Sequence, residues 1–407
     1  MILNVLMISP GYPAEMPEFT KGLAAVGARV YGVGDQPEES LPKDVRLCIN
    51  GYLQVRSLWD EDGVIAAVNR WKGMATIHHV ACLWEPGMMM AARLREALDT
   101  PGLTVEQTIP FRDKEEMKKV LDKAGLRTPR HRDASTVSGI WEAAEEIGYP
   151  LIVKPIDGAG SADTYRIDNS DELRGILSKL SHVHRVSVEE FIDGEEYTYD
   201  TICIGGKIAY SNIAWYRPRP LIARSREWVS PQVIALRDLT DPILADGIAM
   251  GESVIKSLGF KDGFTHMEWY RKADGEVVFG EIGARPPGAH QVDQMNFACN
   301  IDTYKAWAEA ICHGRWSENT KRLFNVATIY KRAHGHGIIQ RFDGYQEIKD
   351  RFGEHIIWDS LLPVGSRRRN WRATLVSDGF IMLRHPDLET TLAMADEVAN
   401  NLNIYAS

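Results

Sequence analysis

Residues 264–282, FTHMEWYRKADGEVVFGEI, decide the fold class, because they form two runs of strand-favouring residues around a tight turn. The Asp-Gly pair at 274–275 is a strong hairpin signal between such runs. With the turn placed there, Glu268 is predicted to lie opposite Glu281, and Val277 opposite Lys272. The sequence therefore predicts an antiparallel hairpin that carries two facing carboxylates.

Two carboxylates opposite each other on one face of a sheet repel, so they need a cation between them or a compensating arginine. Mg²⁺ suits this role, since it binds one or two carboxylates together with substrate phosphates. Arg285 follows Glu281 by four residues and precedes a rigid Pro-Pro-Gly turn. The alternative is an exposed face with two surface glutamates. The apolar run before Glu281 argues against it, because a carboxylate that ends such a strand is expected to be partly buried and paired.

A second candidate segment lies at 150–161, where an apolar strand ends in Lys154 and a glycine-rich turn follows. A lysine amine and glycine backbone N–H groups can hold phosphate together. The turn is not a Walker loop, because it has no Gly-Lys-Ser/Thr, and it lacks the third glycine of a dinucleotide fingerprint. An ordinary strand end and turn is the alternative for this segment taken alone.

Two further segments carry weaker signals. Extended backbone at 189–197 can offer adenine a donor and an acceptor, and Glu196 can accept from ribose hydroxyls, although an acidic interdomain linker explains the segment equally simply. Asp113 is a plausible cap for the helix that follows. Lys114 in the first turn of that helix is poorly placed for the helix dipole, which mildly favours a ligand over a solvated lysine.

The order of the predicted elements gives a mixed fold, α/β at the start and α+β afterwards. A βαβ opening implies a parallel sheet. A small α+β module follows at 126–192, and hairpins dominate beyond it. The predicted parts are an N-terminal α/β domain at 1–112, a small subdomain with its leading helix at 113–192, a large subdomain at 193–323 and a C-terminal subdomain at 324–407.

Composition excludes several classes of protein. The 407 residues carry a net charge of −9, whereas a general nucleic-acid binder is usually basic. Five scattered cysteines, with no Cys-x-x-Cys pair, argue against a disulfide scaffold and a zinc module. The first residues favour a buried strand over a signal peptide, and no stretch is long enough to span a bilayer, so a cytoplasmic protein is expected. The run Arg367-Arg368-Arg369 predicts a solvated loop or hairpin, with phosphate binding as the alternative.

Taken in order, four motifs resemble the ATP-grasp superfamily. They are DK at 113–114, VKP at 153–155 with its glycine-rich loop, EEFIDGEE at 189–196, and the block holding Glu268, Glu281 and Arg285. The resemblance covers about residues 1–315. It is greatest to the L-amino-acid ligases, the dipeptide-forming enzymes related to bacilysin and carnosine synthesis. It implies the ATP-grasp fold, with a pre-ATP-grasp domain, a small lid module and a large antiparallel domain.

The resemblance implies ATP as a bound nucleotide, with Mg²⁺ or alternatively Mn²⁺. The implied nucleotide contacts are Lys114, Lys154 and Ser161 at the phosphates, Glu189 and Ile192 at adenine, and Glu196 at ribose.

For the metal and the chemistry, the resemblance implies that Glu268 and Glu281 hold the ions, usually two. Arg285 and Lys154 would be catalytic, with Arg285 stabilising the transferring phosphoryl group. Many family members have Asn where this chain has Gly283, which leaves the number of metal ions open.

The expected reaction joins a small carboxylic acid to an amine or amino acid through an acyl phosphate. Residues 126–192 are expected to close over the site as a lid. The chain is expected to form a homodimer. His290, Gln291 and Asp293 follow the Pro-Pro-Gly turn and are candidates to face the substrate, as are the arginines of 217–232; loop solvation is the alternative.

Two other functions stay open. One is a carboxylase or purine-pathway type of enzyme that activates bicarbonate or formate, although no biotin-carrier motif is present. The other is an ATP-binding protein without turnover.

Overall fold

The N-terminal part of the chain is a parallel sheet with helices around it. The computed structural model describes residues 2–71, 75–158, 163–180 and 182–407, and the predicted phosphate contact Ser161 lies outside these ranges. The elements of this part are β1 Asn4–Ile8, α1 Met16–Ala25, β2 Arg29–Gly34, α2 Lys43–Cys48, β3 Ile49–Gln54, α3 Glu61–Arg70, β4 His79–Ala81, α4 Met88–Ala97, α5 Val105–Thr108 and α6 Lys114–Lys123. The strands are all parallel in the order β3-β2-β1-β4, as the βαβ opening predicted.

A small module follows with a hydrophobic core of its own. Its elements are β5 His131–Ala134, α7 Val137–Ile147, β6 Leu151–Pro155, β7 Tyr165–Ile167, α8 Ser170–Ile176 and β8 Val186–Glu190. The four strands pair antiparallel in the order β5-β8-β6-β7. One face of this sheet is covered by α7 and α8, whose apolar residues fill the core. The α+β character predicted for 126–192 is therefore confirmed.

A large antiparallel sheet accounts for most of the strands in the rest of the molecule. Its first half comprises β9 Glu195–Ile204, β10 Lys207–Asn212, β11 Ala214–Arg217, α9 Pro220–Ser225, β12 Gln232–Ala235, α10 Ala245–Ser257, β13 Gly263–Arg271, β14 Val277–Gly283, α11 Gln291–Cys299, α12 Thr303–His313 and β15 Asn325–Tyr330. The chain ends with β16 His334–Gly335, β17 Ile339–Asp343, α13 Tyr345–Phe352, β18 Ile356–Asp359, β19 Phe380–His385, α14 Leu388–Asn401 and β20 Asn403–Ala406. The main path across the sheet is β14-β13-β9-β11-β12-β15-β19-β18. Strands from beyond residue 324 thus continue this sheet, while β16, β20 and β17 form a separate small one.

No helix in the described ranges combines the length and the apolar character needed to cross a membrane.

The hairpin of β13 and β14 has the predicted register at its carboxylates. Glu268 pairs with Glu281, but the register shifts by one residue immediately beyond, so that Val277 pairs with Arg271 and the predicted pairing with Lys272 was wrong. Gly280 is the extra residue. A Cβ there would lie 2.7 Å from the carbonyl oxygen of Glu268, so the bulge requires glycine at this position.

His131 connects β5 to α6 through two ion pairs. Its Nδ1 lies 2.8 Å from Glu115 Oε2 and its Nε2 lies 2.8 Å from Asp122 Oδ2. Burial and the charge of Lys118 lower the pKa of His131, but the hydrogen bonds to the two carboxylates outweigh them and the pKa is raised. Because both ring nitrogens face carboxylates, the charged imidazolium is the form that satisfies both of them.

His131→Gln is therefore expected to lower the melting temperature by about 2–4 °C near pH 6 and by less in alkaline solution. Since the folded pKa is raised, the stabilisation is complete below the unfolded pKa of about 6.5 and disappears as the pH rises through the folded value. Thermal melts of both proteins across this range measure the difference. His336→Gln, at an exposed histidine, is the control. A loss that is equal at acid and alkaline pH would contradict this account.

Candidate active site

One cleft brings together most of the residues that the sequence singled out. Its walls are formed by the small module, by the β13–β14 hairpin and by the segments that follow β11 and β15. The predicted residues that line it are Lys114, Lys154, Glu189, Ile192, Glu196, Glu268, Glu281, Arg285 and Gln291. Segments far apart in sequence thus meet where the resemblance placed a nucleotide and a metal.

The facing carboxylates lie at the centre of this cleft. Each has a cationic neighbour: Lys114 Nζ is 3.2 Å from Glu281 Oε1, and His266 Nε2 is 3.6 Å from Glu268 Oε1. Burial alone would raise the pKa of Glu268, but His266, Arg285 and Lys154 outweigh it and the pKa is lowered. Glu268 is therefore an ionised carboxylate that faces a second carboxyl group.

This pair fits a divalent cation that also binds phosphate. Among the described residues no cluster of three His, Cys, Asp or Glu side chains could hold a metal on its own. The protein accordingly offers two carboxylates, which suits Mg²⁺, an ion that usually completes its shell with water and substrate phosphates. A closed structural metal site would need more protein ligands.

Glu268 is supported by His266, a buried histidine that the sequence did not single out. His266 pairs across the sheet with Asp200 on β9, and its Nδ1 lies 2.6 Å from Asp200 Oδ1. Asp200 is fully buried and also accepts hydrogen bonds from Thr198 and Asn212. Burial lowers the pKa of His266, but the two carboxylates outweigh it and raise the pKa to about 9. His266, itself held by Asp200, thus keeps Glu268 in place.

Lys114, Lys154 and Glu189 line the side of the cleft at which the resemblance predicts phosphate contacts, and Lys118 is buried against Glu189. Glu189 is buried, with Lys118 Nζ at 2.7 Å and Lys154 Nζ at 2.9 Å from its two oxygens. Burial would raise the pKa of Glu189, but the two ammonium groups hold it well below its usual range. The side chain of Glu189 therefore balances the charge of these two lysines. The sequence did not single out Lys118, although its spacing of one helical turn from Lys114 was an available signal.

Arg285 is fixed by a carboxylate from the N-terminal part of the chain. Its Nη2 lies 2.5 Å from Glu85 Oε2, and Glu85 Oε1 lies 2.5 Å from Arg112 Nη1. Burial would raise the pKa of Glu85, but the two guanidinium groups outweigh it and the pKa is lowered. No sequence motif pointed to Glu85. A carboxylate from the N-terminal part of the chain thus fixes the direction of the Arg285 side chain.

We expect Glu85→Gln to lower turnover by roughly 10- to 100-fold, as for other residues that orient a ligating or catalytic group. The KM for ATP should change less, because the phosphate contacts that the resemblance implies are Lys114 and Lys154. Steady-state kinetics separate kcat from KM, and Glu39→Gln, at an exposed glutamate of the same domain, is the control. A kcat equal to that of the control would show that Glu85 does not position Arg285.

Arg219 occupies the region predicted for adenine and ribose. Its Nε lies 3.3 Å from Glu196 Oε2, and its Nη1 donates to the Ile192 carbonyl at 2.7 Å. The guanidinium lies over the rings of Phe191 and Tyr270, at 5.0 and 4.8 Å. Burial and the charge of Glu268 raise the pKa of Glu196 to about 8, and Arg219 offsets only part of that rise.

Of the three predicted substrate residues, only Gln291 lines the cleft. His290 Nδ1 lies 2.9 Å from Asp293 Oδ2, and the other Asp293 oxygen accepts from Tyr304 at 2.9 Å. The His290 ring packs against Trp358. Gln291 is the first residue of α11, and Asp293 lies two residues further on, about 200° around the helix, so their side chains point in different directions.

The arginine run at 367–369 is only partly solvated. Arg367 and Arg369 are exposed, as predicted. The Arg368 side chain is 7% exposed, and its Nη2 lies 3.2 Å from Glu227. For Arg368 the expectation of a solvated side chain was therefore wrong, because it forms a buried ion pair.

Sequence comparison agrees with this geometry. A family model described as an ATP-grasp domain matches residues 111–213. Over 235 residues the chain is 28% identical to an L-arginine-specific L-amino acid ligase of Bacillus subtilis, with 56% of each chain covered. The chain thus spans about half the length of the curated relatives it matches.

Solved structures extend the likeness to the whole chain. An L-amino acid ligase from Bacillus licheniformis superposes with a TM-score of 0.79 at 21% identity, covering 100% of this chain and 99% of that one. An N5-carboxyaminoimidazole ribonucleotide synthetase from Thermotoga maritima gives a TM-score of 0.73 at 16% identity, with both chains fully covered. At these identities the likeness shows the fold alone. Residues 111–213 thus match an ATP-grasp domain, and the whole chain has the fold of the L-amino acid ligase structure, which is the ATP-grasp fold that its sequence predicted.

Proposed function

We propose that this chain is an ATP-dependent carboxylate–amine ligase, which forms an amide through an acyl phosphate and releases ADP and phosphate. The observation that carries the proposal is the facing pair Glu268 and Glu281, with Arg285 and Lys154 beside it in one cleft. Two carboxylates between cations suit a metal-bound triphosphate. An arginine fixed next to them suits a phosphoryl group in transfer. The ligase names of the matched relatives favour this reaction over others of the same fold.

In this proposal Glu268 and Glu281 hold Mg²⁺. The bound ion would supply positive charge to the phosphate oxygens. Lys114 and Lys154 contact the phosphates, and their present partners Glu281 and Glu189 give up part of those contacts. Lys118 remains with Glu189, because it is completely buried.

The reaction then proceeds in two steps. An oxygen of the substrate carboxylate attacks the γ-phosphorus, and the bond from that phosphorus to the oxygen of ADP breaks. Arg285 and Lys154 stabilise the charge on the phosphoryl oxygens during the transfer. The amine nitrogen next attacks the acyl carbon and loses a proton. Phosphate leaves with the former carboxylate oxygen, and an amide remains.

The nucleotide end of the cleft involves Ile192, Glu196 and Arg219. A ribose that donates to Glu196 competes with Arg219 for the same carboxylate, so ATP binding shifts Arg219 from its present position. The small module closes over the phosphates and excludes water from the acyl phosphate. These roles rest on the contacts in the cleft and on the resemblance of the sequence.

The test measures ADP and phosphate formation with ATP and Mg²⁺ across a panel of carboxylic acids and amino acids, with mass spectrometry of the products. A product with a new amide bond supports the proposal. Hydroxylamine added in place of the amine should trap the acyl phosphate as a hydroxamate. ADP formation that needs only bicarbonate or formate would favour the alternative activation chemistry. ATP binding without turnover on any acid would contradict both.

A further inference from the structure

Asn212, Asp200 and His266 lie side by side on three neighbouring strands. Asn212 on β10 pairs with Asp200 on β9, and Asp200 pairs on its other side with His266 on β13. Residues directly opposite each other point to the same face of a sheet. Glu268 points to that face as well, because it lies two residues along β13 from His266. One row of polar side chains therefore runs across the sheet to a carboxylate of the proposed metal site.

The row is buried and closely hydrogen-bonded. Asn212 Nδ2 donates to Asp200 Oδ2 at 3.0 Å, and the Thr198 hydroxyl donates to the same oxygen at 2.9 Å. The other oxygen of Asp200 lies 2.6 Å from His266 Nδ1. Two donors on Oδ2 thus fix the rotation of the Asp200 carboxylate. The carboxylate in turn fixes the imidazole whose Nε2 lies 3.6 Å from Glu268 Oε1.

Arg322 fixes the orientation of the Asn212 amide. Its Nη2 donates to Asn212 Oδ1 at 3.1 Å and to the carbonyl of Ser211 at 2.6 Å, and its Nη1 donates to the carbonyl of Leu236 at 3.1 Å. An amide turned by 180° would bring its oxygen against Asp200 and its NH₂ group against Arg322, which has donors only. Arg322 therefore keeps the N–H groups of Asn212 directed at Asp200.

Arg322 reaches this row from outside the cleft. It lines a second cavity that shares no residue with the cleft, so it is not placed to contact ATP or a substrate. No carboxylate in the described ranges lies close enough to form an ion pair with it. Its two carbonyl contacts join strand ends, whereas its contact with Asn212 is the one that leads towards Glu268.

We propose that Asn212 and Arg322 are positioning residues for the metal site, which act through Asp200 and His266 on the orientation of Glu268. The inference rests on one part of the proposed function, that Glu268 holds the metal ion, and not on the reaction that follows. Outer partners of metal ligands typically change metal affinity by roughly 10- to 100-fold when they are removed. Because Arg322 is one hydrogen bond further away than Asn212, its removal should have the smaller effect.

The first experiment measures the binding of Mn²⁺ by electron paramagnetic resonance, with a non-hydrolysable ATP analogue at one saturating concentration. Asn212→Leu, similar in size but without a donor, should raise the Kd of Mn²⁺ by roughly 10- to 100-fold. The metal-free affinity for the analogue should stay unchanged. Thr201→Val is the matched control, because it removes a buried hydrogen bond of 2.7 Å to Thr265 from the opposite face of the same strands.

Arg322→Met gives a second measurement that leaves the buried residues of the row intact. It should raise the Kd of Mn²⁺ by about 10-fold, the lower end of the range for outer partners of a metal site. Arg322→Lys should restore most of the affinity, because an ammonium group can donate to Asn212 Oδ1. Arg237→Met is the control: it removes the same charge from an exposed residue of the same cavity.

Three results would overturn the inference: Asn212→Leu with the Mn²⁺ affinity of Thr201→Val, Arg322→Met with that of Arg237→Met, or an equal loss of metal-free analogue binding, which would indicate a general distortion of the cleft. Wild-type protein that binds no Mn²⁺ would overturn both the metal site and the inference. Wild-type protein that binds Mn²⁺ but forms no hydroxamate would count against the ligase function alone, and the variants would still decide the inference.

Discussion

Glu281→Gln is expected to lower ATP-dependent phosphate release by about 10³-fold or more, a loss typical of removing a group that stabilises charge in the transition state. The amide keeps the shape of the side chain but removes one of the two negative charges that face each other across the hairpin. A divalent ion would then have a single carboxylate left. Coupled assays of phosphate release with ATP, Mg²⁺ and the active acid measure this loss.

The fold should survive this change, because removing one of two facing like charges relieves repulsion. The melting temperature without ligand is expected to be equal to or above that of the wild type, while the stabilisation by Mg²⁺-ATP becomes smaller. Glu252→Gln, at an exposed glutamate on α10, controls for the loss of one charge. Turnover retained in Glu281→Gln would show that the carboxylate pair is not the metal site.

Arg285→Lys is expected to lower kcat by about 10²- to 10³-fold, with a smaller change in the KM for ATP. Lysine keeps the positive charge but cannot keep both the contact with Glu85 and a second N–H group for the phosphoryl oxygens. The side chain would no longer be aimed by the N-terminal domain. Single-turnover formation of hydroxamate measures the phosphoryl-transfer step directly.

Arg56→Lys, at an exposed arginine of the N-terminal domain, is the control for this substitution. If Arg285→Lys forms hydroxamate at the wild-type rate, Arg285 binds ATP or the acid without stabilising the transfer. A large rise in KM with an unchanged kcat would lead to the same conclusion, because it indicates equal binding of ground state and transition state.

The carboxylate pair was predictable because one hairpin contains both residues, and a two-strand register follows from the turn. The bulge at Gly280 was not predicted, since it depends on the close approach of the Glu268 carbonyl to that residue. A glycine inside a strand was the available signal. The shift leaves the glutamates opposite each other and moves only the residues nearer the turn.

The supporting residues could not be found in this way, because their partners lie far away in sequence. Glu85 and Arg285 are 200 residues apart, and Asp200 meets His266 only when β9 pairs with β13. Lys118 is completely buried against Glu189, which lies 71 residues away in the sequence. Such contacts are set by how domains and strands meet, and no local pattern encodes them.

The predicted substrate contacts His290 and Asp293 show a second limit. A family resemblance transfers a position in the fold but not the direction of each side chain. Here His290 bonds to Asp293, and neither residue lines the cleft.

Oxygen transfer from the acid to phosphate tests the central claim most directly. The active acid is labelled with ¹⁸O in its carboxylate and incubated with ATP, Mg²⁺ and the amine, and the released phosphate is analysed by mass spectrometry. Activation through an acyl phosphate places one labelled oxygen in each inorganic phosphate formed with the amide. Unlabelled phosphate, or label recovered in AMP, would show that the acid is activated by another route and would contradict the account.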